Sequence, residues 1–291
     1  MTSDLSSGKG HQDENFPVAS ILIAKRHRPA VMAFYRVARL ADDIADHPTA
    51  SAHDKDMRLG AIRSSLIGVS DEVREAVALR ETQKALAISP DHILDLLRAF
   101  QQDVRKVRYA TWAELMDYCR YSAAPVGRYV LEVHGESPII WPTSDALCAA
   151  LQVINHLQDC GEDYRELNRV YAPLDALEGA GVEVSALGAT SASPALQGVI
   201  ADLARRTLEL LETAAPLAGQ VRDLRLRLEI GVIHRLAVDL AVRLTRRDPL
   251  SERVHHRPLE AMRLAILGGA GALTGRGGGS ANGQTGAIQR P

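Results

Sequence analysis

Two pairs of aspartates, each spaced by four residues and each extending a largely apolar segment, constrain the fold of this chain more than any other feature. The first lies in ADDIAD (41–46). There Asp42 and Asp46 share one face of a helix about one turn apart, on the stripe that begins with Tyr35. Asp43 points roughly 100° away around the helix, toward Arg39 one turn earlier. The second lies in LQVINHLQDCGEDYRE (151–166). Asp159 and Asp163 repeat the spacing beside Glu162, and Gln152, Asn155 and Asp159 form a polar stripe leading into the pair. Like charges at this spacing cost an isolated helix roughly 0.2–0.5 kcal/mol, a sign that a bound divalent cation reverses. One such pair alone reads as a solvated helix face. Two of them on apolar helices read as facing ligand sets that present four carboxylates to Mg2+. That ion takes one or two carboxylates together with water and phosphate oxygens, so the expected substrate is phosphorylated. No GxxxxGK[ST] loop offers another phosphate cradle.

Composition agrees with helices. Aromatics are only 4% of the 291 residues, and Ala and Leu dominate where β-branched and aromatic runs would mark strands. A formal net charge of −2 leaves no basic surface for nucleic acid. Three widely spaced cysteines, Cys119, Cys148 and Cys160, give neither a disulfide framework nor a CxxC metal site, and fit a reducing cytoplasm. No stretch reaches the roughly 18–20 apolar residues that cross a bilayer. The longest uncharged apolar run near the C-terminus is Leu264 to Leu273.

Helical periodicity runs almost throughout. Pro29 opens the first helix. Residues 91–108 form another, with Asp91 as N-cap. Residues 111–134 start from a Thr cap and break near Pro125 and Gly127. Pro142-Thr143-Ser144 announces a helix over 145–166, and two more follow near 194–217 and 221–247. The expected organisation is a disordered leader (1–14), one all-α domain (15–273) and a flexible Gly-rich tail (274–291).

YRVARLADDIAD (35–46) and QVINHLQDCGEDYRELNRVYAP (152–173) resemble the two aspartate-rich motifs of the squalene/phytoene synthase family, and YATWAELMDYCRYSAAPVG (109–127) resembles its central helix. The similarity runs in order from about residue 14 to 267. It implies an all-α isoprenoid synthase fold with a central cavity. It further implies Mg2+ held by Asp42, Asp46, Asp159 and Asp163 against a diphosphate, which Tyr35, Arg39, Asn155 and Arg169 help to bind or orient. Asp103 matches a further family aspartate. ENFPVAS (14–20), the segment around Pro125 and Gln158 before Asp159 are similar to the hydroxysqualene synthase branch. That branch implies presqualene diphosphate as substrate, water as the quenching nucleophile, and an upstream presqualene diphosphate synthase. Leu167-Asn168 and Ala172 depart from the family pattern, and CGED is spelled more as in phytoene synthases. Head-to-head condensation of two prenyl diphosphates is the alternative within the family. A catalytically inactive helical partner is the alternative outside it, which loss of a motif aspartate would mark; all four are present.

Other residues invite roles that they need not have. His156 reads as a core histidine or one standing behind the acidic ligands, and Cys160 as packing. Tyr118, Tyr121 and Tyr129 read equally as core or as ring faces for a cation. His255-His256-Arg257 reads as a solvated connection. The stretch Leu259 to Leu273 reads as either a docking C-terminal helix or an amphipathic contact with a membrane, placing the protein in the cytoplasm or peripherally at a membrane.

Overall fold

The computed structural model describes residues 23–274. The helix opened by Pro29 is α1 (Arg28–Ala45), which buries Ala30, Val31, Phe34, Val37, Ala41 and Ile44 along one stripe. It packs with α2 (Ala52–Leu66), α3 (Arg74–Leu86) and α4 (Asp91–Asp103) around a first apolar cluster that includes Leu59, Leu79, Ile93 and Leu97. Next come α5 (Trp112–Ser122), α6 (Ala124–Val133), α7 (Trp141–Gln158), α8 (Cys160–Leu167) and the short α9 (Leu174–Gly179). The chain closes with α10 (Pro194–Ala214), α11 (Leu217–Gln220), α12 (Leu224–Leu244) and α13 (Pro258–Thr274). A second apolar cluster, with Ile154, Leu157, Leu196, Leu203, Leu240 and Leu244, fills the space among α5, α7, α10 and α12. Tyr129 and Val133 of α6 belong to the first cluster, although α6 also packs on α7. The first acidic pair thus rides on one cluster and the second on the other.

The all-α expectation holds; among the described residues the β-pairing is one parallel bridge between Arg108 and Val170. That bridge explains the first departure. The helix expected over 91–108 stops at Asp103, because residues 107–110 run extended beside 170–175. Val170 N–H donates to Val107 at 2.9 Å and Leu174 N–H to Tyr109 at 2.9 Å. Asp91 is the first helical residue and Pro90 takes the cap position, while Ser89 Oγ accepts the Asp91 N–H at 3.2 Å. Thr111 caps α5 through the Glu114 N–H, as expected. The break near Pro125 falls at Ala123 (φ −123°, ψ −49°), and Pro125 occupies the first turn of α6, where its missing N–H costs nothing. Gly127 is required by that junction: a Cβ there would stand 2.6 Å from Ser144 Oγ and 2.5 Å from Cys148 Sγ on α7.

The helix expected over 145–166 starts earlier, at Trp141, and divides at Asp159 (φ −101°, ψ 7°) into α7 and α8. The hydrogen-bond ladder nevertheless carries across the bend, with Asp159 N–H on Asn155 O at 2.9 Å and Asp163 N–H on Asp159 O at 2.8 Å. The helix expected over 221–247 is Leu224–Leu244, capped by Asp223. His255-His256 is not a solvated connection: His256 Nε2 lies 3.0 Å from Asp239 Oδ2, pinning the segment to α12. The proposed leader (1–14), the ENFPVAS segment and all but Thr274 of the proposed tail lie outside the described residues; Thr274 ends α13.

Candidate active site

The seam between the two clusters is where the acidic pairs meet. Asp42 and Asp46 close the last turn of α1, with Asp46 as its C-cap. Asp159 sits at the α7–α8 bend, and Asp163 lies one turn on in α8. Asn168 follows α8 in the left-handed region (φ 50°, ψ 32°), a conformation asparagine tolerates better than most residues. The departure from the family pattern at Leu167-Asn168 thus falls on a left-handed turn. Arg108 holds Asn168 in place, bonding its Oδ1 at 2.7 Å and also its carbonyl. The turn sends Arg169 back into the seam.

Arg169 is buried, and its guanidinium ties the two halves together. It bonds Asp46 Oδ1 at 2.5 Å, Ala45 O at 3.3 Å and Asp103 O at 3.4 Å. One planar donor fork serving several oxygens is a task for which arginine is suited and lysine is not. Arg39 stays on its own helix, pairing with Asp43 at 2.8 Å, as its spacing suggests, and with Asp42 at 3.3 Å. Tyr35 stands two turns before Asp42 on α1, and Asn155 one turn before Asp159 on α7, both half-buried.

Negative charge outweighs positive at this seam. Burial, reinforced by the neighbouring Asp46 and opposed by Arg39, pushes Asp42 up to about 7. Burial likewise pushes Asp163 up to about 7, reinforced by Asp159 and by Asp46 from the opposite pair. Asp103 is also pushed up to about 7 by burial, although Arg169 and the Tyr118 hydroxyl favour its ionised form. Asp42 keeps 40% of its side-chain surface accessible while being densely surrounded, so it lines a recess and does not face bulk solvent. Arg169 favours ionisation of Asp42, Asp103 and Asp163 alike, yet one guanidinium does not balance them.

This donor set fits a hard divalent cation. Among the described residues, no three His, Cys, Asp or Glu side chains stand together in a way that would enclose an ion by themselves. Two separate carboxylate pairs suit an ion that completes its shell with water and phosphate oxygens. The excess charge also has a measurable consequence. All three carboxylates hold a proton more tightly folded than their ordinary value of 3.8 allows unfolded, so folding takes protons up. The stability they contribute is complete below about pH 4 and is lost as pH rises through about 7. The thermal midpoint of the metal-free protein should therefore fall between pH 5 and pH 8, and Mg2+ should flatten the slope. A midpoint independent of pH, with or without Mg2+, would contradict the crowding of these carboxylates.

Beneath the seam lies a stack of rings. Tyr118 donates its hydroxyl to Asp103 Oδ2 at 2.8 Å and packs on Tyr109 and Tyr171; Tyr171 stacks on His156 with centroids 3.4 Å apart. Burial lowers His156 to about 3, so its half-buried ring stays neutral between Gln152 and Tyr171. Tyr129 is elsewhere, donating to Ala30 O and stacking on Phe34, and Tyr121 lies under Arg98. Of the three tyrosines weighed for a cation, Tyr118 alone reaches the acidic seam through a hydrogen bond. Cys160 is buried and its thiol is pushed up to about 12, in keeping with packing.

Sequence reading missed Tyr109, Tyr171 and Lys55. Lys55 Nζ donates to Ala45 O at 2.8 Å and lies near Asp46 and Arg169, so it adds a cation at the rim. Nothing in the spacing of α2 singled it out. The two tyrosines lie within quoted motif segments, but only the pairing of 107–110 with 170–175 brings them together.

Residues 9–260 match the squalene/phytoene synthase family. The hydroxysqualene synthase of Zymomonas mobilis is 52% identical over 271 residues, covering 92% of this chain and 91% of that protein. The hydroxysqualene synthase of Rhodopseudomonas palustris is 52% identical over 258 residues, covering 89% and 88%. Among solved structures, squalene synthase HpnC from Alicyclobacillus acidocaldarius superposes with a TM-score of 0.70 at 30% identity, covering 79% of this chain and 87% of that one.

Proposed function

Because the chain belongs to the squalene/phytoene synthase family, we propose that it converts presqualene diphosphate and water into hydroxysqualene and diphosphate. The observation that carries this reading is the meeting of two aspartate pairs from separate halves of the fold around one buried arginine. The 52% identity to two hydroxysqualene synthases favours water as the nucleophile.

In this reading Asp42, Asp46, Asp159 and Asp163 hold Mg2+, which when bound neutralises the leaving diphosphate as a Lewis acid. Arg169, Arg39 and Lys55 add positive charge around the same group, and Tyr35 and Asn155 orient it from the adjoining helical turns. The substrate C–O bond breaks with its electron pair leaving on the diphosphate. The cyclopropylcarbinyl cation rearranges, a water oxygen forms the new C–O bond, and the proton it releases goes to solvent or to the departing diphosphate. The second apolar cluster keeps other nucleophiles away from the cation. An upstream enzyme joining two fifteen-carbon diphosphates would supply the substrate.

One observation favours the alternative of head-to-head condensation: the CGED spelling at 160–163. A labelling experiment separates the two. Presqualene diphosphate and Mg2+ in oxygen-18 water should give a thirty-carbon alcohol carrying the heavy oxygen, with no nicotinamide required. Conversion of farnesyl diphosphate alone to presqualene diphosphate, with no alcohol from the presqualene substrate, would show that the chain is a condensing synthase.

A further inference from the structure

The last helix is built inside out for a soluble protein. Its inner face is made of small residues. A Cβ added at Gly231 of α12 would stand 2.8 Å from Gly268 O and 2.7 Å from Ala272 Cβ, and one added at Gly268 would stand 2.5 Å from Gly231 O. The two backbones therefore meet almost directly. Arg243 reaches Glu260 at 3.1 Å, and Asp239 reaches His256, so α13 runs antiparallel along α12. The bulky residues point outward instead. Leu259, Met262, Ile266 and Leu273 are 75, 58, 67 and 58% exposed on one face, with Leu267 beside them at 49%. The antiparallel run brings Leu224 of α12, 53% exposed, to the same end as Leu273. An ordinary surface helix would turn these large side chains inward.

We propose that the outer face of α13 is a membrane-docking surface that lies in the plane of an anionic lipid leaflet. The helix cannot span: no helix among the described residues is long and apolar enough. Its two charged side chains are Glu260, engaged by Arg243, and Arg263, exposed beside the stripe. Arg257 and Arg235, also exposed, flank it. The chain as a whole carries −2, so this basic rim is local and complements anionic headgroups. Apolar side chains of this kind enter the headgroup boundary by roughly 5–10 Å. A second copy fits less well. Self-pairing about a twofold would bring two copies of Arg263 into one small apolar contact. A single helix stripe about 25 Å long and about 10 Å wide is also far below the roughly 800 Å² per partner of a stable interface. The inference stands whichever product the enzyme makes.

The test is co-sedimentation of the full chain with vesicles of phosphatidylcholine alone or mixed with phosphatidylglycerol, using the wild type and the double variant Met262→Glu, Ile266→Glu. Both side chains are exposed, so the variant should keep its helical circular dichroism and its turnover of substrate in detergent. The wild type should prefer the anionic vesicles, and the variant should partition about tenfold or more weakly. Equal binding by a folded variant, or no binding by the wild type, would overturn the proposal. So would a wild-type dimer that the variant dissolves, which would make a second copy the occupant. Binding that appears only after removal of residues 275–291 would make that segment the occupant instead.

Discussion

Asp163→Asn and Asp42→Asn should each lower turnover by about 10²–10³-fold, the scale seen when one group stabilising a developing charge is removed, while the metal-free protein becomes more stable at pH 8. Asparagine has nearly the same shape as aspartate, so the α1 terminus and the α7–α8 bend should persist. What changes is charge. Asp42 and Asp163 are both pushed up to about 7 by burial and by neighbouring carboxylates. At pH 8 each is an ion the metal-free fold would sooner lose, so its neutral replacement removes repulsion. Steady-state kinetics and thermal melts on the same preparation should move in opposite directions. Full turnover in either variant would mean that the aspartate holds no catalytic cation, and a melting point lowered in parallel with activity would mean that it holds the fold.

Arg169→Met should be among the most damaging single changes to stability. Removing one partner of a buried charge network leaves the others uncompensated, at a cost of about 3–5 kcal/mol. The low end applies here, because Asp46 keeps 38% of its side-chain surface accessible and draws some compensation from water. Arg169→Lys should recover little, since one ammonium cannot serve Asp46 Oδ1, Ala45 O and Asp103 O from a planar fork. Denaturant titrations should show the Met variant regaining part of its loss as pH drops below about 7, where Asp42, Asp103 and Asp163 take up protons. A Met variant as stable as the wild type at pH 8 would show that the arginine does not hold the seam.

What could be read from the chain was local. The i,i+4 aspartates, Pro29 in the first turn, the Thr111 cap and the break before Pro125 each follow from spacing along one helix. What could not be read depends on partners distant in sequence. The helix over 91–108 has a good periodic pattern, yet pairing with residues 170–175 pulls its last residues straight. Arg169 was named through family resemblance, but its place between two halves of the molecule depends on the Asn168 turn and on Arg108 sixty residues away. Lys55 is one basic residue among many until α2 is packed. The final helix illustrates the limit from the other side: its periodicity is plain, but only the Gly231–Gly268 contact tells which face looks inward.

Placing each aspartate pair on a different apolar cluster makes the reactive centre a report on the whole assembly. A chain in which only α1 to α4 have consolidated carries two carboxylates and no Arg169. One in which only α5 to α12 have consolidated carries the other two, with the arginine lacking its Asp46 anchor. Neither half can ionise a prenyl diphosphate by the route proposed here. By that route a nascent, clipped or partly melted chain would be silent, releasing no reactive cation where water or its own side chains would capture it indiscriminately. Fidelity of the product would in this sense rest on complete folding, because the proposed chemistry needs both halves of the fold in place.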